Sequence, residues 1–406
     1  MFLFKFAHWR YMIFALLAAF ITALKGFFYA HLLDEVQYAN VSYYLLMLGV
    51  GVLFIGSGVI IRCHTEIPIL AKEESSECLN DFIRQVKVTG FVYWLLLCTL
   101  IPLASYMTGM SLSFQVLLVV QVLVFFLFTI DLMVVKGRLD FVGYARQLFL
   151  RNAVIAAAGF LFAHLSADSF VTVAAEVLCA VIFYSRGVLL FFLDFRVPSL
   201  TFFSKSITYM PVTLVGALFQ FVDRLLASSV LRTEEFSRFS YFSLVIMAGL
   251  SVQQLMNTRV ITVLPEMCEK GARVGYRYVV KISLVMALLM LFALTAGMFV
   301  LQSPWLVADW FEINYMLGMV FVLVALVRSV DFYSSYLLVM GRRFLLLKIQ
   351  LSMLFLFCVG ALIFKVFLSN TGLWGFALMV LSGFLVFLVC LILSAWFVSR
   401  NKDFCI

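Results

Sequence analysis

Lys25, Glu176, Asp223, Arg224, Arg328 and Asp331 lie deep inside long apolar stretches, and Asp131 and Lys365 lie nearer the ends of such stretches. A charge at the centre of a membrane-spanning helix costs ~2.5–3.5 kcal/mol on insertion scales, so it turns toward a partner, a protein interior or water. Such side chains serve as anion contacts, as ion or proton relays, or as structural pairs. Arg328 and Asp331 are three residues apart, which puts them on one helix face where they can neutralise each other. Asp223 and Arg224 are adjacent and diverge by about 100° around a helix, so they seek partners on other helices. Gln220 lies one turn before both. Lys365 is close enough to a span end to snorkel, and interfacial pairing with Lys136 is the plain reading of Asp131.

An uncharged polar stripe follows from Ser251, Gln254 and Asn257, one helix face by spacing, with Gln253 beside it. Hydrogen bonding between helices accounts for such a stripe; a wall that binds sugar hydroxyls is the sharper reading. His8, His31, His64 and His164 are scattered, and the eight Cys form no C-x-x-C or Cys/His cluster. No metal site and no cofactor are expected. The Cys fall in spans or on the expected cytoplasmic side, so structural disulfides are not expected either.

The elements that must hold these residues follow from composition. The 406-residue chain is 65% hydrophobic and 12% charged, far from a soluble protein's balance of about half apolar and a quarter charged. The apolar residues come in blocks of roughly 20, enough to cross ~30 Å of hydrocarbon as helix. The reading is an all-α polytopic membrane protein of about twelve spans. The first six lie near Tyr11–Leu33, Val41–Ile61, Val86–Met107, Ser113–Val135, Asn152–Leu165 and Ser169–Leu193. The second six lie near Thr208–Val230, Phe239–Thr262, Val279–Leu301, Ile313–Val339, Leu347–Leu368 and Leu373–Phe397. The fifth is short for a crossing. The first apolar run is too long for a signal peptide, so no cleavage is expected.

Lys and Arg set the orientation. With the N-terminus inside, nearly all of them fall on inside segments, and the outside loops hold only Arg232 and Arg238. Both termini are therefore expected in the cytoplasm. The net charge of +8 reflects this bias toward the anionic inner leaflet and its membrane lipids, and nucleic acid is not an expected partner. Trp305 and Trp310 flank an outside loop; interface anchoring explains them, with sugar stacking the alternative.

A polar stretch over Asp194–Met210 divides the spans six and six. It predicts an N-terminal lobe over 1–195, a cytoplasmic linker over 196–207 and a C-terminal lobe over 208–406. The lobes carry a weak repeat: "EVQYANVSYYLL" from Glu35 lies over "TEEFSRFSYFSL" from Thr233 at a shift of 198 residues. Under that shift Lys25 falls opposite Asp223. Two six-helix lobes of equal orientation imply an axis along the membrane normal, with a central cavity between lobes that rock against each other.

The stretches "LKGFFYAHLLDEVQYANVSYYLLMLGVG" (from Leu24) and "FVDRLLASSVLRTEEFSRFSYFSLVI" (from Phe221), with Pro-containing inner segments after the second helix of each half, resemble the polysaccharide flippases of the multidrug/oligosaccharidyl-lipid/polysaccharide exporter superfamily, the O-antigen (Wzx-type) translocases. The N-terminal copy departs by carrying Lys25 and Gly26 where the second carries Asp223 and Arg224. The resemblance implies a bacterial inner-membrane protein, not an enzyme, that moves undecaprenyl-pyrophosphate-linked oligosaccharide to the periplasmic leaflet by alternating access. It also implies polysaccharide polymerase and chain-length proteins as partners. On this reading Lys25, Arg224 and Arg328 contact the pyrophosphate, and Gln254 and Asn257 contact sugar. Asp223, Asp331 and Glu176 balance charge or bind a coupling ion. An ion-coupled drug or cation antiporter of the same superfamily is the rival. The Gly/Asp/Arg-rich string usual in the major facilitator class is missing from "RCHTEIPILAKEESSE". A membrane polymerase would be expected to have larger, more basic outer loops.

Overall fold

The computed structural model describes residues 6–72, 76–108 and 110–400. Their regular structure is helical throughout. The first half comprises α1 (Phe6–Leu32), α2 (Glu35–Gly56), α3 (Val59–Lys72), α4 (Ser76–Thr108), α5 (Leu112–Gly137), α6 (Phe141–Ser166), α7 (Ser169–Phe183) and α8 (Ser185–Leu193). There follow α9 (Leu200–Val230), α10 (Thr233–Glu269), α11 (Ala272–Leu301), α12 (Tyr315–Ser329), α13 (Tyr333–Val339), α14 (Arg343–Ile363) and α15 (Gly372–Arg400). Nine helical segments among the described residues are long and apolar enough to cross a bilayer, ten if the bent pair α7–α8 is one span. One of the nine, Arg343–Arg400, contains both α14 and α15.

Each expected span coincides with helix, with four differences. The short fifth span becomes the 26-residue α6, because Arg151 is accommodated on the faces of Phe125 and Phe128, 4.7 and 5.0 Å from the ring centroids. The sixth bends by 60° at Tyr184. The tenth is broken after Ser329 into α12 and α13. The polar segment after the second span is no loop but the helix α3, with Pro68 inside it.

The chain forms two compact units, Met1–Phe221 and Val222–Ile406. Their boundary falls within α9 rather than in the polar stretch before it. Of the expected linker 196–207, residues from Leu200 onward are already helix.

In the first unit α5 is the central post. Its Val122, Phe126, Leu127 and Ile130 are fully buried, and it packs on α2, α3, α4, α6 and α7. Short polar caps fix the helix starts: Asp34, Asp140 and Asp168 accept hydrogen bonds from the backbone N–H of Gln37, Gly143 and Val171 at 2.8, 2.8 and 2.9 Å. Arg62 docks α3. Its guanidinium donates to both oxygens of Glu66 (2.6 and 3.0 Å), to the Phe202 carbonyl (3.2 Å) and to the Ser206 hydroxyl (3.1 Å). It also lies 3.8 Å from the Phe202 ring centroid. The first turns of α9 are thus pinned to α3. Gly58 makes the close approach possible: at φ +78°, a Cβ there would stand 2.2 Å from the Ser206 carbonyl oxygen.

In the second unit α10 and α12 pack closely with α11 and α15. Phe239, Phe242, Phe321 and Phe376 form its buried aromatic centre; Phe242 and Phe321 stack with centroids 4.9 Å apart. The repeat seen in sequence reappears in helix ends. α1 ends at Leu32 and α9 at Val230, while α2 starts at Glu35 and α10 at Thr233, each pair separated by the same shift of 198.

Candidate functional site

In the first unit the buried carboxylate among the described residues is Glu176 on α7, whose side chain is 1% exposed. Two donors one turn apart on α1 reach it. Lys25 Nζ lies 2.8 Å from its carboxylate, and the Tyr29 hydroxyl donates to Oε1. The Lys25 side chain retains 14% exposure, so the ammonium is not wholly sealed. Gly159 on α6 closes the third side: a Cβ there would stand 1.8 Å from the Tyr29 hydroxyl and 2.7 Å from Glu176 Oε1. A second buried polar pair lies in this unit, where Tyr44 on α2 donates to Gln121 Oε1 on α5 at 2.8 Å. Gln121 Nε2 is buried without a partner among the described residues.

In the second unit Arg328, at the end of α12, donates from Nη1 to Asp223 Oδ2 on α9 at 2.7 Å. The two side chains are 7% and 1% exposed. The guanidinium also lies 4.6 Å from the Phe384 ring centroid on α15. Asp223 Oδ1 is buried with no hydrogen-bond partner among the described residues, which is an expensive arrangement for a carboxylate. Arg328 does not pair with Asp331 as the spacing suggested. The helix stops at Ser329, so the two residues no longer share a helical face. Asp331 instead turns to the start of α13, accepting from the Ser334 N–H at 3.1 Å and hydroxyl at 2.8 Å.

Of the polar stripe on α10, Asn257 meets this break, together with Gln253 beside the stripe. Gln253 donates to the Asp331 carbonyl (2.9 Å), and Asn257 Oδ1 accepts from the Ser335 hydroxyl (2.7 Å). On α11, Ser283 donates to the Val330 carbonyl at 3.0 Å. These bonds satisfy backbone and side-chain groups that a break inside a membrane would otherwise orphan. Gln254 is exposed. Arg224 is half-buried and donates to the Ser243 carbonyl at 3.5 Å. Asp131 pairs with Lys87 (2.6 Å) and accepts from Tyr184, rather than meeting Lys136 as expected, because α4 brings Lys87 alongside α5. Lys365 is exposed. Trp305 is 93% exposed, and Trp310 meets Tyr241 edge-on with centroids 6.2 Å apart.

Of the expected site residues, the structure joins Lys25 to Glu176 and Asp223 to Arg328, and leaves Asp331 and Asn257 around the α12–α13 break. Sequence reasoning missed Tyr29, Ser283 and Ser335, and placed Gln253 only beside the polar stripe. Tyr29 had a signal, its place four residues after Lys25 on one helix face. Chemically, each unit contains a cation held on a carboxylate inside an apolar bundle. Taking one partner away leaves the other charge uncompensated, at about 3–5 kcal/mol. A proton on the carboxylate, or an anionic ligand on the cation, is what can replace the lost partner.

No protein-family model matches the sequence, and no curated protein matches it significantly. Solved structures do match over nearly the whole chain. An inward-facing multidrug resistance MATE family transporter of the MOP superfamily aligns with TM-score 0.63 and 14% identity, covering 95% of this chain and 96% of that one. The lipid II flippase MurJ in an inward closed conformation aligns with TM-score 0.62 and 12% identity, covering 95% and 87%. A MOP superfamily transporter from Pyrococcus furiosus, described as having a binding pocket of reverse polarity, aligns with TM-score 0.56 and 16% identity, covering 96% and 95%. These neighbours are transporters and a flippase, not enzymes. At such identities the likeness is one of architecture: this chain has the fold shared by MATE-type transporters of the MOP superfamily and by the lipid II flippase MurJ.

Proposed function

We propose that this chain flips a polyprenyl-pyrophosphate-linked oligosaccharide across the bacterial cytoplasmic membrane, by alternating access of two lobes and for surface polysaccharide of the O-antigen type. The observation that carries the reading is a pair of cations, the largely buried Lys25 and the buried Arg328, each resting on a carboxylate. A pyrophosphate is dianionic and cannot enter hydrocarbon bare. A cation already placed in an apolar bundle, and held by an exchangeable partner, offers it charge-assisted hydrogen bonds there. Lys25, Arg224 and Arg328 are the proposed pyrophosphate contacts, and Gln254 and Asn257 the proposed sugar contacts. Glu176 and Asp223 keep the cations neutralised between cycles, and these two carboxylates or Asp331 exchange a coupling proton or sodium ion. Both termini lie in the cytoplasm on this reading, and a polymerase and chain-length proteins take the product on.

A second reading has support of its own. The MATE transporter aligns as well as MurJ does, and buried carboxylates suit a cationic drug or a coupling ion as readily as buried cations suit pyrophosphate. Proteoliposomes separate the two. The flippase reading expects a labelled polyprenyl-pyrophosphate oligosaccharide to become accessible to a lectin on the far side only when the protein is present. Ion-driven extrusion of a cationic dye, with no movement of the lipid-linked sugar, contradicts it.

A further inference from the structure

Within the first unit, the start of α4, the end of α5 and the short helix α8 line an open cavity of about 500 Å³, well within the size range of small-ligand sites. Its polar wall is Asn80, Arg84, Lys87, Asp131, Arg138 and Asp194, and Ile83, Val134, Leu190 and Phe191 form its apolar side. Most of the charges are matched locally. Lys87 holds Asp131 at 2.6 Å, and Arg84 pairs with Asp81. Two groups are not closed at contact distance. Arg138 has no ion-pair partner among the described residues, and Asp194 is 3.7 Å from Arg84 with its side chain 64% exposed. The lining holds three cations and two carboxylates; with Arg84 neutralised by Asp81 just outside it and Lys87 by Asp131, the cavity balances and offers one positive pole, Arg138, and one negative pole, Asp194.

The surroundings set the depth. Arg138 is the residue immediately after the apolar span Leu112–Gly137. Beside the cavity, α8 presents Leu189, Leu190, Phe192 and Leu193 at 49–74% exposure, and Val197 and Leu200 beyond it are 85% and 86% exposed. A charged cavity at the end of a span, bordered by an apolar belt, matches the two halves of a phospholipid.

We propose that this cavity binds a zwitterionic aminophospholipid of the phosphatidylethanolamine type. The phosphate sits on Arg138, the primary ammonium donates to Asp194, and the acyl chains lie over α8. A neutral, two-pole cavity selects a neutral, two-pole headgroup. A net anionic lipid such as phosphatidylglycerol offers Asp194 only neutral hydroxyls and no cation, a weaker partner than an ammonium, and a choline headgroup has no N–H to donate.

The test uses the purified full chain, delipidated in detergent, with each lipid added back and bound lipid counted by native mass spectrometry. Phosphatidylethanolamine should be retained one per chain and in clear preference to phosphatidylglycerol and phosphatidylcholine, and free phosphoethanolamine at the same concentration should not bind. Arg138→Gln and Asp194→Asn should each reduce that retention about tenfold, the scale of one charge-assisted hydrogen bond. Their elution and lipid-free thermal unfolding should match the parent, which separates a lost site from a lost fold. Equal or stronger retention of phosphatidylglycerol, or unchanged phosphatidylethanolamine retention in both variants, overturns the proposal.

Discussion

Replacing Arg328 by Met is expected to harm this protein more than replacing Arg328 and Asp223 together. In the single variant the Asp223 carboxylate loses its 2.7 Å partner. Its other oxygen is already buried without one, so both oxygens stand orphaned at 1% side-chain exposure. Breaking a buried pair in this way costs about 3–5 kcal/mol, whereas exchanging both members for apolar residues of similar volume is often neutral or stabilising. Arg328→Met with Asp223→Leu should therefore recover most of the loss. The Met side chain can keep part of the contact with the Phe384 ring, 4.6 Å from the guanidinium in the parent. A double-mutant cycle on unfolding in mixed micelles reads the coupling directly. Coupling of about 3 kcal/mol or more is the expected value. A coupling under about 0.5 kcal/mol, the level of an exposed pair, would show that the two charges do not depend on each other, and the account of the second unit fails with it.

The same logic in the first unit makes Lys25→Met destabilising through the stranded Glu176. Tyr29→Phe should cost less, about 1–3 kcal/mol for one donor lost to a buried acceptor, by the same unfolding assay. Gly159→Val should lower the unfolding midpoint clearly, because a Cβ at that position collides with the Tyr29 hydroxyl; an unchanged midpoint refutes the close packing of α6 on α1. Arg62→Lys keeps the charge but cannot reproduce the fork that reaches Glu66, Phe202 and Ser206, so limited proteolysis in 195–199 should quicken. Burial is the main cause that pushes the Cys63 thiol up to about 12, opposed in part by Arg62. Its thiolate is thus scarce at neutral pH, and maleimide should label exposed Cys78 while sparing Cys63 until the solution is strongly alkaline.

Apolar block lengths carried the helices into view, because a bilayer demands about twenty apolar residues per crossing. What hydropathy could not carry was where a helix bends or breaks. The α12–α13 break follows no Pro or Gly; it is held by Gln253, Asn257 and Ser283 from neighbouring helices, and those partners are set by packing. α3 escaped notice because its polar sequence reads as a loop until Arg62 finds its partners on α9. The buried charges were legible one by one, since each is costly in an apolar run. Their pairing was legible only in part: Lys25 and Glu176 are separated by 151 residues and Arg328 and Asp223 by 105. The local alternative, Arg328 with Asp331, looked better on spacing alone.

On the flippase reading, Lys25 and Arg328 carry a lipid-linked, pyrophosphate-bearing sugar through the bilayer. The Arg328→Met/Asp223→Leu protein separates that role from folding, because the fold is expected to survive while the cation is gone. Reconstituted beside the parent, it should insert and unfold normally, yet translocate polyprenyl-pyrophosphate oligosaccharide at least about tenfold more slowly, the loss of one charge-assisted contact. Translocation at the parental rate by that protein contradicts the account.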